Sequence, residues 1–214
     1  LVRETNKVGL SFHFEWDGKD DNARCSRTWG DGGIYDHKLS HDLERNITTV
    51  ENSLGYKTQY EHDGAMAHRT FDAFGNVRST VFDDDYRVTA EVSELGQQTS
   101  FNYDDRGNLI RQLSADGAEL HTEYDEHDLP ARVVDARGSV WLWRRDAQGR
   151  LLEKSDPLGS TTRYIYQRRW LVAVVDPAGA QTTLGYSPDD DVDAVVTPDG
   201  ALTSFHRDRL GRVI

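Results

Sequence analysis

Carboxylates are the commonest reactive groups in this chain, with 37 Asp and Glu against 25 Lys and Arg among 214 residues. Two runs are dense enough for ion chemistry. Asp83-Asp84-Asp85, and Asp189-Asp190-Asp191 with Asp193, could gather hard oxygen ligands for calcium. Neither has the twelve-residue loop with a terminal Glu that builds such a site, so both read as solvated hairpin tips. Glycoside hydrolysis needs two particular carboxylates at a set separation, and no pair is singled out among so many. His37 and His41 stand four apart, which on a helix would put both on one face for zinc. Gly33 and the pattern around them make that segment a turn or strand instead, and His-Glu-x-x-His is absent. Cys25 is the single cysteine, so no internal disulfide exists, which suits folding in a reducing cytosol. Neither Gly-x-x-x-x-Gly-Lys nor Gly-x-Ser-x-Gly occurs. The expectation is a chain without catalytic residues, metal site or cofactor.

The net charge of −12 and a pI near 5.0 disfavour nucleic acid or an anionic membrane, which both select clustered Lys and Arg. The longest apolar run, Trp170 to Val175, is far short of the ~20 residues of a membrane-spanning helix.

What positions these side chains is a repeat. Gly55, Gly75, Gly96, Gly117, Gly138, Gly159, Gly179 and Gly200 follow one another at 20 or 21 residues. In phase with them run aromatic-acid pairs or their variants: His62-Asp63, Phe82-Asp83, Tyr103-Asp104, Tyr124-Asp125, Arg145-Asp146, Tyr166-Gln167, Tyr186-Ser187 and Arg207-Asp208. Eight positions before each glycine lies Ile47, Ala67, Val88, Leu109, Pro130, Leu151, Leu171 or Val192, a row assigned to burial. Such periods mark arrays whose units must stack to bury their apolar faces.

Each unit carries two turn signals. One ends at the repeated glycine, as in Asp135 to Gly138, Asp156-Pro157-Leu158-Gly159, Asp176-Pro177-Ala178-Gly179 and Thr197-Pro198-Asp199-Gly200, the preference of a type I turn. The other follows the aromatic-acid pair, as in Asp104-Asp105-Arg106-Gly107 and Asp146-Ala147-Gln148-Gly149. Two turns per 21 residues leave two segments of roughly six residues, each the length of a strand. They alternate as strands do: Thr99, Phe101 and Tyr103 share one face, as do Thr162, Tyr164 and Tyr166. Two before each pair stand Tyr60, Thr80, Phe101, Thr122, Trp143, Tyr164, Leu184 and Phe205, which should stack as a ladder of rings.

Residues 18–40 break the rhythm: Gly18 to Asn22 reads as a charged loop and Trp29-Gly30-Asp31-Gly32-Gly33 as a tight turn, an insertion with scope for a contact site. Leu1, Gly9, Phe14 and Trp16-Asp17 fit the phase of Leu109, Gly117, Thr122 and Tyr124-Asp125, and Gly211-Arg212-Val213-Ile214 stops part-way through a later unit. The chain is therefore expected to be a single array of about nine to ten repeats over 1–214 and a fragment of a larger protein.

Tandem aromatic-Asp pairs, turn glycines and Asp-Pro-x-Gly turns at this period resemble the YD repeats of Rhs proteins, also found in insecticidal toxin complexes and teneurins. Trp29-Gly-Asp-Gly-Gly-Ile-Tyr-Asp-His-Lys-Leu39 and Val50-Glu-Asn-Ser-Leu-Gly55 resemble the bacterial branch linked to type VI secretion. The resemblance implies an all-β fold of tandem antiparallel β-hairpins in a long, curved, spiralling sheet, part of a hollow shell around a C-terminal toxin domain of the same parent chain. It also implies a secretion-apparatus spike protein or a chaperone as further partners, and a life in the bacterial cytoplasm before delivery to a target cell. Arg145 and Arg207 in place of the aromatic, and Gln167 and Ser187 in place of the acid, are expected to weaken their units. About eighteen strands at ~4.8 Å would make a sheet too wide to stay flat. Its two unpaired edges should make the isolated piece self-associate. The alternative reading is a carbohydrate or cell-surface binding module that uses Trp141, Trp143 and Trp170.

Overall fold

A computed structural model describes residues 2–209 and 211–214; Leu1, placed above in phase with Leu109, lies outside them. The chain divides into two units, residues 1–101 with 114–116 and residues 102–113 with 117–214. Apart from a single 3₁₀ turn, η1 (Asp31–Gly33), all regular structure among the described residues is strand.

The first unit is an antiparallel meander in which each strand pairs with the next: β1 (Arg3–Thr5), β2 (Ser11–Trp16), β3 (Cys25–Gly30), β4 (His37–Asp42), β5 (Ile47–Asn52), β6 (Lys57–His62), β7 (Ala67–Phe71), β8 (Val77–Phe82), β9 (Val88–Val92) and β10 (Gln98–Tyr103). The second unit continues the pattern with β11 (Leu109–Leu113), β12 (Glu119–Tyr124), β13 (Pro130–Val134), β14 (Val140–Arg145), β15 (Leu151–Ser155), β16 (Thr161–Gln167), β17 (Trp170–Val175), β18 (Gln181–Tyr186), β19 (Val192–Val196) and β20 (Leu202–Ser204). Among the described residues the strands total 20 rather than about eighteen, four of them within residues 3–42. Inside the irregular segment, Trp29 and Gly30 belong to β3, so the turn begins at Asp31, later than expected.

Strand pairing is not uniform. Register slips by one residue immediately before the aromatic position, between Glu61 and His62, Val81 and Phe82, Glu123 and Tyr124, Arg144 and Arg145, Ile165 and Tyr166, and Gly185 and Tyr186. The extra residue lies on the following strand: His68, Thr89, Ala131, Leu152, Val172 and Asp193. A bulge at the same place in these six repeats bends the strand locally and aims the aromatic position differently from its neighbours.

Burial is thin. Among the described residues only Ser11, Gly30 and Ala173 are buried, and the accessible surface is 14970 Å². A globular monomer of 24.3 kDa exposes about 10,000 Å². These units are therefore single layers, and two expectations need correction. The row Ile47, Val88, Leu109, Pro130, Leu151, Leu171 and Val192 is only half-buried, and Ala67 is exposed, because no second layer packs on the sheet. The rings two before each pair do not form a continuous ladder. Equivalent positions lie two strands apart, ~9.6 Å, and residues of the intervening strand separate them: Trp143 faces Lys154, Tyr164 faces Val174 and Leu184 faces Val195.

Candidate functional site: the two turn edges of the repeat

In an antiparallel meander alternate turns fall on the same edge, so each unit presents two edges. One carries the turns that end in the repeated glycine. The other carries the turns that follow the aromatic position.

Both turns are built the same way. At the first kind, the Gly159 N–H donates to the Asp156 carbonyl at 2.9 Å and the Asp156 N–H to the Ser160 carbonyl at 3.0 Å. Asp156 Oδ1 accepts from the N–H groups of Leu158 and Ser160, each at 2.9 Å. At the second kind, Gly149 donates to the Asp146 carbonyl at 2.9 Å, while Asp146 Oδ1 accepts from Gln148 and Arg150 at 3.0 Å. Asp104 with Gly107, Asp125 with Asp128, Asp135 with Gly138 and Asp176 with Gly179 repeat the scheme, and Gly117 and Gly200 close turns of the first kind. The acid of the aromatic-acid pair and the acid of Asp-Pro-x-Gly are thus the same device, a carboxylate bracketing a tight turn. Pro157 and Pro177 preset the φ that follows the Asp.

The fourth residue of each of these turns is left-handed, φ 81° at Gly159 and 78° at Gly149. Tyr86 (62°), Asp128 (56°) and Asp190 (68°) hold that conformation without being glycine. The slips from 21 to 20 residues also have a place: the connections 62–67 and 166–171 are one residue shorter than their counterparts at 82–88 and 124–130.

What sequence reasoning missed is the work of the aromatic position. Tyr124 Oη donates to the Leu109 carbonyl at 2.9 Å and Tyr186 Oη to the Leu171 carbonyl at 2.9 Å. Arg145 Nη1 donates to the Pro130 carbonyl at 2.6 Å and Arg207 Nη2 to the Val192 carbonyl at 3.2 Å. All four reach back fifteen residues to the start of an earlier strand, for Tyr124, Arg145 and Tyr186 the strand immediately before their own: Leu109, Pro130 and Val192 open β11, β13 and β19, and Leu171 is the second residue of β17. At Arg145 and Arg207, where weaker units were expected, the tether is kept. They supply the N–H donor that replaces the tyrosine hydroxyl, and Arg145 also pairs with Asp125 at 3.1 Å. Tyr103 ends β10 in the corresponding position. Tyr166 is flanked by the Arg150 guanidinium, 4.9 Å from its ring centre, and burial raises its hydroxyl pKa.

Successive turns of this edge are stitched together. Arg106 pairs with Asp128 at 2.9 Å and donates to the Asp125 carbonyl at 3.0 Å; Asn108 donates to Asp128 at 2.7 Å. Arg150 holds Asp146 at 2.6 Å and also donates to the Arg168 carbonyl. The carboxyls in these turns lie below their ordinary pKa: Asp104 through the Asn108 N–H and Asp146 through the Arg150 side chain. At Asp125 burial pushes upward, but the N–H groups of Leu129 and His127 and the Arg145 side chain together outweigh it. These acids are committed acceptors. Asp83 likewise accepts from the Asp85 and Arg87 N–H groups and the Arg87 side chain, and Ser187, Asp190 and Asp191 form a turn of the same kind. No group of three or more metal-ligating side chains converges among the described residues.

Two polar groupings lie in the irregular segment. Asp31 accepts from the Ser11 N–H at 2.8 Å and bonds His13 Nε2 at 2.9 Å, while Ser11 Oγ bonds Arg3 and Thr5. The His and Asp are paired as in a hydrolase, but the fully buried Ser11 hydroxyl is bonded elsewhere, so the order nucleophile–base–orienter is not built. His41, on the same strand as His37, bonds Thr48 Oγ1 at 3.1 Å and the Cys25 carbonyl at 3.0 Å, tying β3 to β5 across β4. Of the tryptophans considered for sugar binding, Trp170 has the Arg169 guanidinium 4.8 Å above its ring and Tyr186 at 6.2 Å, while Trp141 and Trp143 are half-buried in β14.

Carboxylate-bracketed hairpins, with Tyr124, Arg145, Tyr186 and Arg207 each fastened to an earlier strand, define a β-hairpin repeat protein. The chain belongs to the RHS Repeat family, whose model matches residues 71–119, 124–161 and 145–181, together half of the chain. It is similar to the toxin protein Tse5 of Pseudomonas aeruginosa, 28% identical over 87% of this chain and 15% of that protein. It is also similar to double-stranded DNA deaminase toxin A of Burkholderia cenocepacia, 27% identical over 76% of this chain and 11% of that protein. The chain thus spans less than a sixth of these relatives. Among solved structures, TcdB2-TccC3 without its hypervariable C-terminal region aligns with 99% of this chain and 14% of its own at a TM-score of 0.63 and 11% identity. A Photorhabdus luminescens Tc holotoxin pore aligns with 100% of this chain and 15% of its own at 0.58 and 9% identity. At those identities the likeness concerns the fold.

Proposed function

We propose that residues 1–214 form one uninterrupted run of nine to ten repeats in the wall of an Rhs-type shell. The shell encloses a toxin domain carried C-terminal to it in the same parent protein and helps deliver that domain, in competition between bacteria or as an insecticidal toxin. The observation that carries this reading is the single-layer build. An ordinary domain covers its sheet with a second layer, whereas these units expose about 5,000 Å² more than a globular chain of this mass. A wall needs no second layer of its own, because its inner face meets contents. The excess acid is placed in turns along the edges, while across the faces charges are paired, as in Glu123–Arg132 at 2.7 Å and Arg144–Glu153 at 3.0 Å. In this reading the segment is not an enzyme, binds no nucleic acid and does not insert in a membrane. The parent is held in the bacterial cytoplasm and then delivered, with a spike protein or chaperone as further partners.

Limited proteolysis of the parent protein tests it. The C-terminal domain should resist trypsin in the intact protein and become sensitive in a variant carrying Arg106→Ala and Arg150→Ala, which removes the stitches between turns. Cleavage of that domain in the intact parent as fast as in the isolated domain would refute containment.

A further inference from the structure

The edge of the first unit that carries the glycine turns is apolar where turn chemistry asks for polar residues. Five connections lie along it in succession: 6–10, 31–36, 52–56, 72–76 and 93–97. Each presents a large apolar side chain, Val8, Tyr35, Leu54, Phe74 and Leu95, between 68% and 88% exposed. Val8, Leu54, Phe74 and Leu95 stand immediately before a turn glycine, amid positions where small polar residues are usual, so turn chemistry does not account for them. The side chains are not isolated, since the rings of Tyr56 and Phe74, from successive turns, are 6.0 Å apart. Successive connections on one edge are two strands apart, ~9.6 Å, so the five make a ridge roughly 38 Å long. A row of exposed large apolar side chains along one edge marks an interaction site.

The period identifies the occupant. An apolar contact opposite every tip requires a partner whose own contacts recur at ~9.6 Å, and the same edge of a second copy has that spacing. We propose that two copies of this chain associate through this ridge, edge to edge about a two-fold axis, with tips of one copy fitting between tips of the other. A two-fold contact uses the same patch twice, so no complementary surface is needed elsewhere. Five tips at roughly 150 Å² each, fully covered in both copies, would bury about 1,500 Å², the size of a specific interface. The contact involves side chains at turns, so it is separate from pairing between open strand edges, and it does not depend on the containment reading.

Sedimentation velocity on the 214-residue protein, over a hundredfold range of concentration, tests the proposal with two variants. Leu54→Ser/Phe74→Ser/Leu95→Ser removes the centre of the ridge. Leu158→Ser removes an equally exposed tip in the second unit, where the neighbouring turns carry Arg137 and Ala178. The wild type should reach twice 24.3 kDa, with association weakened at least 100-fold in the triple variant and less than threefold in Leu158→Ser. All sites are exposed, so far-UV circular dichroism should be unchanged. A monomeric wild type at every concentration, as expected if a different protein covers the ridge, overturns the proposal. So does a dimer that survives the triple substitution, or one lost equally in Leu158→Ser.

Discussion

Tyr124→Phe deletes one oxygen and leaves the ring in place, and its consequence follows from the bond that oxygen makes. The hydroxyl donates to the Leu109 carbonyl at 2.9 Å from a half-buried position. A hydrogen bond of this kind contributes about 0.5–1.5 kcal/mol net, and the stranded carbonyl adds to the loss where water cannot reach it. Partial solvent access keeps the expected cost near ~1 kcal/mol. For about 200 residues that lowers the melting temperature by roughly 2–4 °C, with the effect concentrated around β11 to β13 because repeat arrays share stability between neighbours. Tyr186→Phe should cost the same, and the two should add, since nothing links their partners. At the arginine version of the site, Arg145→Tyr keeps a donor for the Pro130 carbonyl and loses the pair with Asp125, so it should cost less than Arg145→Met, which loses both. The assay is thermal and urea denaturation followed by circular dichroism. If Tyr124→Phe is silent while Tyr124→Leu is costly, the ring alone matters and the tether is wrong.

Other expectations concern the turns. Tyr86→Gly relieves a left-handed non-glycine residue at φ 62° and should stabilise by about 0.5 kcal/mol, after the entropy of glycine in the unfolded chain is subtracted. Gly159→Ala meets no neighbouring atom but forces alanine to φ 81°, and should cost about 1 kcal/mol; a gain in melting temperature would refute the turn assignment. The carboxyls of Asp72, Asp83, Asp104 and Asp146 titrate below their unfolded value of about 3.9, so the unfolded chain binds protons first. Their contribution is complete above roughly pH 5 and is lost as pH falls through the folded values. Urea midpoints should match at about pH 7 and 5.5 and drop at about pH 3; an unchanged midpoint at the lowest pH would contradict it.

Much of this was legible in the sequence, for local reasons. Asp-x-x-Gly and Asp-Pro-x-Gly act within five residues, and alternation acts within a strand, so turns, strands and period can be read directly. Arg145 reads as a degraded aromatic because its partner is fifteen residues away and is a backbone carbonyl, which carries no side-chain signature. A ring ladder is expected because equivalent positions share a face, but the strand between them doubles their spacing. Leu54, Phe74 and Leu95 are visible as residues, yet only the meander shows that their turns lie on one edge. The Asp31 contacts with Ser11 and His13 depend on the irregular segment folding back on β2, which no local rule predicts.

Stability in this chain resides in a succession of equivalent hairpins and not in a common core. Residue-resolved amide hydrogen exchange on the 214-residue protein tests it most directly. Protection should rise and fall with the 20- or 21-residue period of the glycines, slow in the strands and fast at turn centres, with similar maxima from β5 to β19. A single strongly protected block, with the remaining strands exchanging as if unfolded, would contradict the account.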